Sequence, residues 1–279
     1  MNKEIVWKDS FITNGAKNLY ASTFRVDFSS KNTLKYMSDW VSENTGGTIT
    51  PQLTQDPNQI LSIINTIYFK DQWSIEFKKE LNFKEQFYLM SGKTVECDYM
   101  STTGSDNRYV KGEGYVRSDL NLKNGNRMVF ILPDSNRSVS DLLSSPQKVQ
   151  SLFEGGKEEY GKIVWKIPKF QFGSNLNLKN TLQTLGITAT FKENADFSGI
   201  TDSPAVISSV QQQTHIGINE EGVEASAFTQ ISLPGSSMPH EDETVEINLN
   251  RPFIYGILTG DNTILFVGVC ANPTASGIE

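Results

Sequence analysis

Residues 220–233 read Glu220-Glu221-Gly222-Val223-Glu224-Ala225-Ser226-Ala227-Phe228-Thr229-Gln230-Ile231-Ser232-Leu233. They run directly into Pro234-Gly235-Ser236-Ser237-Met238-Pro239-His240-Glu241-Asp242-Glu243. In the first part, Val223, Ala225, Ala227, Thr229, Ile231 and Leu233 form one alternate set, small to medium in size and mostly apolar. Glu224, Ser226, Phe228, Gln230 and Ser232 form the other, mostly polar. Alternation of period two belongs to a strand with one buried face. The second part, rich in proline, glycine, serine and acid, reads as exposed loop. At the level of residues two readings stay open. One is an edge strand followed by a long hairpin loop; the other is a segment hinged at Gly222 that exchanges between loop and strand.

The flanks are legible on both sides. Val210, Gln212, Thr214, Ile216 and Ile218 alternate with their neighbours, as do Val245, Ile247 and Leu249, so each set predicts a strand. Residues 253–258 and 264–269 are two apolar strands joined at Gly260-Asp261-Asn262, a hairpin turn. Further upstream, residues 60–70 are almost continuously apolar, the pattern of a central strand buried on both faces. Shorter strands are expected at 87–90, 94–100 and 128–132, and the opening residues read as the start of another. Residues 10–21 predict a helix. A second follows Asp27-Phe28-Ser29-Ser30, with Leu34, Met37, Trp40 and Val41 on one face and a stop at Thr45-Gly46-Gly47. A third is expected over 176–185, closed by Gly186. This mixture predicts an α+β fold, and the lack of internal repeats or low-complexity linkers predicts a single domain over 1–279.

Composition excludes several functions. With 32 acidic residues against 25 basic, the formal charge of −7 argues against a nucleic-acid surface. No apolar run reaches the ~18–20 residues of a membrane helix, and the N-terminal residues lack the apolar core and cleavage site of a signal peptide. Two cysteines, Cys97 and Cys270, cannot build a disulfide framework or a four-thiolate zinc site and are read as packed thiols. Two histidines, His215 and His240, offer little for a nucleophile's base or a metal, and the Gly-x-Ser-x-Gly elbow of a hydrolase is absent from the sequence. Catalytic residues, metal and cofactor are therefore all read as none. Gly156-Lys157-Glu158-Glu159-Tyr160-Gly161-Lys162 imitates a phosphate-binding loop until Ile163 stands where a Ser or Thr would hold magnesium. Its two glutamates would also repel phosphate.

The pattern Asn219-Glu220-Glu221-Gly222-Val223-Glu224-Ala225-Ser226-Ala227 resembles the hinge of the serpins, a family of suicide protease inhibitors. Asn65-Thr66-Ile67-Tyr68-Phe69-Lys70-Asp71-Gln72-Trp73, followed by Phe77, is similar to the serpin strand that leads to the breach tryptophan. Gly92-Lys93-Thr94-Val95, Phe130-Ile131-Leu132-Pro133-Asp134, Ile167-Pro168-Lys169-Phe170 and Ala195-Asp196-Phe197-Ser198-Gly199-Ile200 are similar to serpin segments as well. So are Leu185-Gly186-Ile187, Asn250-Arg251-Pro252-Phe253, Phe266-Val267-Gly268 and Asn272-Pro273-Thr274, all in the family's order from about residue 5 to 274. The resemblance implies a large mixed β-sheet A with smaller sheets B and C, the family's N-terminal helices being absent from this chain. It implies a reactive loop over 222–243, cleaved between Ser236 and Ser237, that inserts into the main sheet and traps the attacking protease. A small residue at the cleaved bond implies an elastase-like or subtilisin-like serine protease as partner. The chain would act as a monomer, open to loop–sheet polymers, outside the cell. On the same mapping, Glu220 and Lys169 pair beside Trp73 at the breach, and Asn65 and Gln212 form the shutter. Three positions depart from the pattern: Gln212 stands for a histidine, Asp71 for a glycine, and Val223 for Thr or Ser. A serpin that binds without inhibiting, and a hydrolase using Ser236 or Ser237, are the competing expectations.

Overall fold

The computed structural model describes residues 1–275 except 52, 54, 67, 208, 209 and 224–242, and the backbone alone of 106, 172, 175 and 211. Among them are the helices α1 (Asp9–Leu19), α2 (Lys31–Asn44), α3 (Val139–Leu142), α4 (Pro146–Glu154) and α5 (Lys179–Thr184). The strands are β1 (Asp71–Gln72), β2 (Phe83–Tyr88), β3 (Thr94–Gly112), β4 (Tyr115–Asn121), β5 (Arg127–Pro133) and β6 (Glu158–Pro168). They continue as β7 (Phe170–Asn177), β8 (Gln211–Ile218), β9 (Gly222–Val223), β10 (Thr244–Asn248), β11 (Phe253–Leu258) and β12 (Ile264–Cys270). The class is α+β. One sheet has four strands in the order β1-β9-β8-β7. The other has eight, in the order β10-β6-β3-β4-β5-β11-β12, with β2 paired to β3.

The chain divides into two compact units. The first holds Met1–Tyr68 and residues 173–215. Its helix α2 buries Thr33, Met37 and Val41, one face at helical spacing. It ends where the Thr45 hydroxyl donates to the Val41 carbonyl at 2.8 Å, before Gly46 and Gly47 turn the chain at positive φ.

The second unit holds Phe69–Phe172 and the described residues from Ile216 onward, and it contains most of the large buried side chains. Phe130 meets the Trp165 ring edge-on at 5.7 Å, and Phe170 packs 6.1 Å from Phe253. Alternation on β6 sends Gly161, Ile163, Trp165 and Ile167 inward. Gly125 at φ 81° closes the β4–β5 turn, and Asn262 at φ 69° closes the β11–β12 hairpin.

Three sequence expectations are corrected, and several elements carried no expectation at all. Residues 60–66 and 68–70 form no strand. An apolar run reports hydrophobicity, whereas a strand needs a ladder; the Ile60 carbonyl accepts from the Asn2 amide at 2.8 Å, and a ladder begins only at Asp71. Ile63 is 79% exposed. The helix expected from 176 starts at Lys179, because β7 continues to Asn177, whose side chain then accepts from the Lys179 amide at 3.1 Å. The opening residues make only the isolated bridges Asn2–Val26 and Trp7–Thr201. Finally, β4, β6, β7, α3 and α4 had no strong periodic signal. The imitation phosphate loop lies in part on β6, where Glu158 is paired with Val110 and Gly161 with Asn107 of β3, so that backbone is engaged in a ladder and cannot cradle an anion.

Candidate functional site at the hinge

Residues 219–223 reverse the chain at the end of β8. The Asn219 side-chain oxygen accepts from the amides of Glu221 (2.9 Å) and Gly222 (3.2 Å), an Asx turn that holds the reversal. The returning Gly222 and Val223 form β9, which lies between β1 and β8 and is antiparallel to both. Val223 is paired with Asp71 on one side and with Ile218 on the other. Its side chain is 1% exposed and joins the core with Trp73 and Phe77. A Cβ on Gly222 would stand 2.2 Å from the Asp71 carbonyl oxygen and 2.6 Å from the Gln72 Cα, so only glycine permits this approach.

Trp73 organises the same end. It is 1% exposed, donates from Nε1 to the Asn219 carbonyl at 2.8 Å and meets Phe77 edge-on at 5.8 Å. The Trp73 amide donates to the Glu221 carbonyl and the Phe77 amide to the Glu220 carbonyl, each at 3.0 Å. Segment 220–223 is thus laid along 71–77 by backbone bonds.

Lys169 Nζ stands 3.1 Å from Glu220 Oε1, and the Asn82 side-chain amide donates to the same oxygen. The Glu220 side chain is only 10% exposed and that of Lys169 30%, so the pair is largely withdrawn from water. Burial alone would raise the carboxyl. Hydrogen bonds from its own backbone amide, Asn82 and Lys169 outweigh that and hold it below the ordinary glutamate value. Glu221 meets Lys79 at 3.3 Å nearer the surface.

A family model, serpin (serine protease inhibitor), matches residues 1–273. The chain belongs to the serpin family. It is 30% identical over 277 residues to serine proteinase inhibitor 2 of variola virus, covering 97% of this chain and 78% of that one. Among solved structures, this serpin is similar to the thermophilic serpin tengpin in its native state, at 26% identity and a TM-score of 0.83, covering 96% of this chain and 70% of that one. It is also similar to thyroxine-binding globulin complexed with thyroxine, at 25% identity and a TM-score of 0.82, covering 99% and 74%.

Other expected site residues fall elsewhere in the serpin. Glu224, Ala225, Ser226, Ala227, Ser236 and Ser237 lie outside the described residues, as does His240. Asn65 and Gln212 are both exposed, and among the described residues no hydrogen bond joins them. Asn65 sits on the run that lacks a ladder, whereas Gln212 lies on β8. His215 is half-buried on β8, where burial pushes its imidazole below the ordinary value. Cys97 and Cys270 are free and buried, and burial pushes the Cys97 thiol up to about 11.

Sequence reasoning missed Asn82, Lys79 and the turn Asn124-Gly125-Asn126. Asn82 lies in the mixed stretch Lys78-Lys79-Glu80-Leu81-Asn82-Phe83-Lys84-Glu85, where no periodicity or motif marks it out. Asn-Gly announces a turn, but nothing in it says what the flanking amides hold.

Proposed function

We propose that this serpin inhibits a serine protease outside the cell by a suicide mechanism, acting as one domain with residues 222–243 as its reactive loop. The protease serine attacks the carbonyl of Ser236. The 236–237 amide bond breaks, the serine's proton passes through the protease histidine to the departing Ser237 amine, and an ester holds the loop to the enzyme. The loop then enters the sheet as a new strand before water cleaves the ester. The pocket for the residue before the cut must admit a serine, which suits elastase-like or subtilisin-like enzymes. Membership of the serpin family speaks against the hydrolase alternative and favours reading Ser236 and Ser237 as bait for another enzyme's nucleophile.

One observation carries this reading: the strand order β1-β9-β8. Gly222 and Val223 occupy an antiparallel slot between two strands, so the chain entering the loop has its first residues in the position of an inserted strand. Ala225 and Ala227 belong to the same alternate set as Val223 and are small and uncharged, which supports insertion without bulk.

The test is incubation with elastase, subtilisin and trypsin, read on denaturing gels and by residual protease activity. The expected result is an SDS-stable complex with elastase or subtilisin and a new N-terminus at Ser237. Cleavage of the loop with no complex and no loss of protease activity would overturn inhibition. That outcome would favour a serpin that binds a ligand, the reading to which the thyroxine complex of one structural neighbour points.

A further inference from the structure

The hinge rests on β1, and β1 is itself held from its far side. Asp71 is 3% exposed, and its carboxylate accepts from three amides: Gln72 N at 2.8 Å, Asn124 Nδ2 at 3.1 Å and Asn126 Nδ2 at 3.2 Å. No cation is among its partners in the described residues. A buried carboxylate is tolerated only where donors replace water, and two of these three come from the β4–β5 turn. The same turn takes the backbone next to it, since the Lys123 amide donates to the Gln72 carbonyl at 2.8 Å. The opposite edge of Asp71–Gln72 is the one that pairs with Gly222 and Val223. A two-residue strand offers few backbone bonds of its own, so its position depends on what grips it from behind.

We propose that Asp71 is a positioning residue: its carboxylate, gripped by Asn124 and Asn126, fixes β1 so that the hinge seats against it and the loop enters the sheet in register. This deepens the inhibitory reading and rests on it for its consequence, faster insertion, but the anchor itself is measured without any protease. Asp71 touches no reacting atom; it acts through β1 on Gly222 and Val223.

Amide hydrogen exchange of the full chain, followed by mass spectrometry, compares wild type with Asp71→Gly, Asp71→Asn and the pair Asn124→Ala/Asn126→Ala. The peptide spanning 72–77 carries the Trp73 and Phe77 amides that bond to the hinge. Loss of hydrogen bonds to a charged, buried group should speed its exchange by about tenfold in Asp71→Gly and in the asparagine pair, because local opening follows the bonds lost. Asp71→Asn, which keeps the shape and one acceptor oxygen, should recover most of that protection, while β11 and β12 stay at the wild-type rate throughout. Unchanged exchange over 72–77, or equal acceleration across the whole chain, would overturn the anchor. Should Asp71→Gly fail to fold, the asparagine pair, altered only on the turn, carries the same test. With elastase or subtilisin, Asp71→Gly should partition at least about threefold further toward plain cleavage, since slower insertion leaves the ester longer exposed to water. An unchanged partition beside faster exchange would overturn the positioning role. A wild type that forms no complex counts against inhibition alone, because the exchange result needs no protease.

Discussion

Glu220 gathers at one carboxylate the contacts that hold the hinge. Lys169 and Asn82 reach the same oxygen, while the residue's own carbonyl takes the Phe77 amide. Since hydrogen bonding holds this carboxyl below its ordinary value, its contribution to stability is complete above the ordinary glutamate range. It is lost as pH falls through the depressed value. Protection of the 72–77 amides should therefore drop on acidification below the ordinary range, and Glu220→Gln should flatten that dependence; an equal slope in both proteins would contradict it. Glu220→Lys sets a second ammonium against Lys169 and leaves Asn82 without its acceptor. We expect ladders of polymer on native gels after mild heating, and monomer alone would count against the role. The partnership of Lys169 and Glu220, 51 residues apart, was suggested by family resemblance and not by any spacing. The amides on Glu220 and Asp71 carried no such signal, because an asparagine's partner is set by tertiary approach.

Strands differ in how openly the sequence announces them. β8, β10, β11 and β12 alternate or run apolar between clear turns, and each was expected within a residue or two. β6 hid behind Glu158, Lys162 and Lys166, which belong to the outward alternate set, while Ile163, Trp165 and Ile167 are buried. The apolar run at 60–70 erred the other way: it has the side chains of a strand without the neighbours. β9 was foreseen as the start of a longer alternating strand, but nothing local predicted that it would lie between β1 and β8. Gly222 is where that arrangement is most exposed to challenge. In Gly222→Ala the new Cβ meets backbone atoms of Asp71 and Gln72, which cannot swing aside as a flexible side chain would. We expect a loss of about 1–3 kcal/mol in urea unfolding, the usual range for forced overpacking, with increased exchange confined to β1 and β9. Stability and exchange equal to wild type would show that the hinge does not sit against β1.

At the scale of the whole molecule, the fold class was legible because helices and alternating strands are written in periods of 3.6 and 2. The family came from the order of many short segments spread over nearly the full length. What the sequence withheld was the state of the sheet. Two hinge residues, Gly222 and Val223, already sit between β1 and β8, an arrangement no local pattern announced. The account stands on insertion of the cleaved loop being strongly downhill. The direct measurement is a thermal melt of the intact protein beside the same protein nicked once in residues 234–239. Insertion should raise the midpoint by about 10–20 °C, corresponding to ~5 kcal/mol at roughly 2–4 °C per kcal/mol for a protein of this size. A nicked protein that melts at or below the intact midpoint would contradict the account.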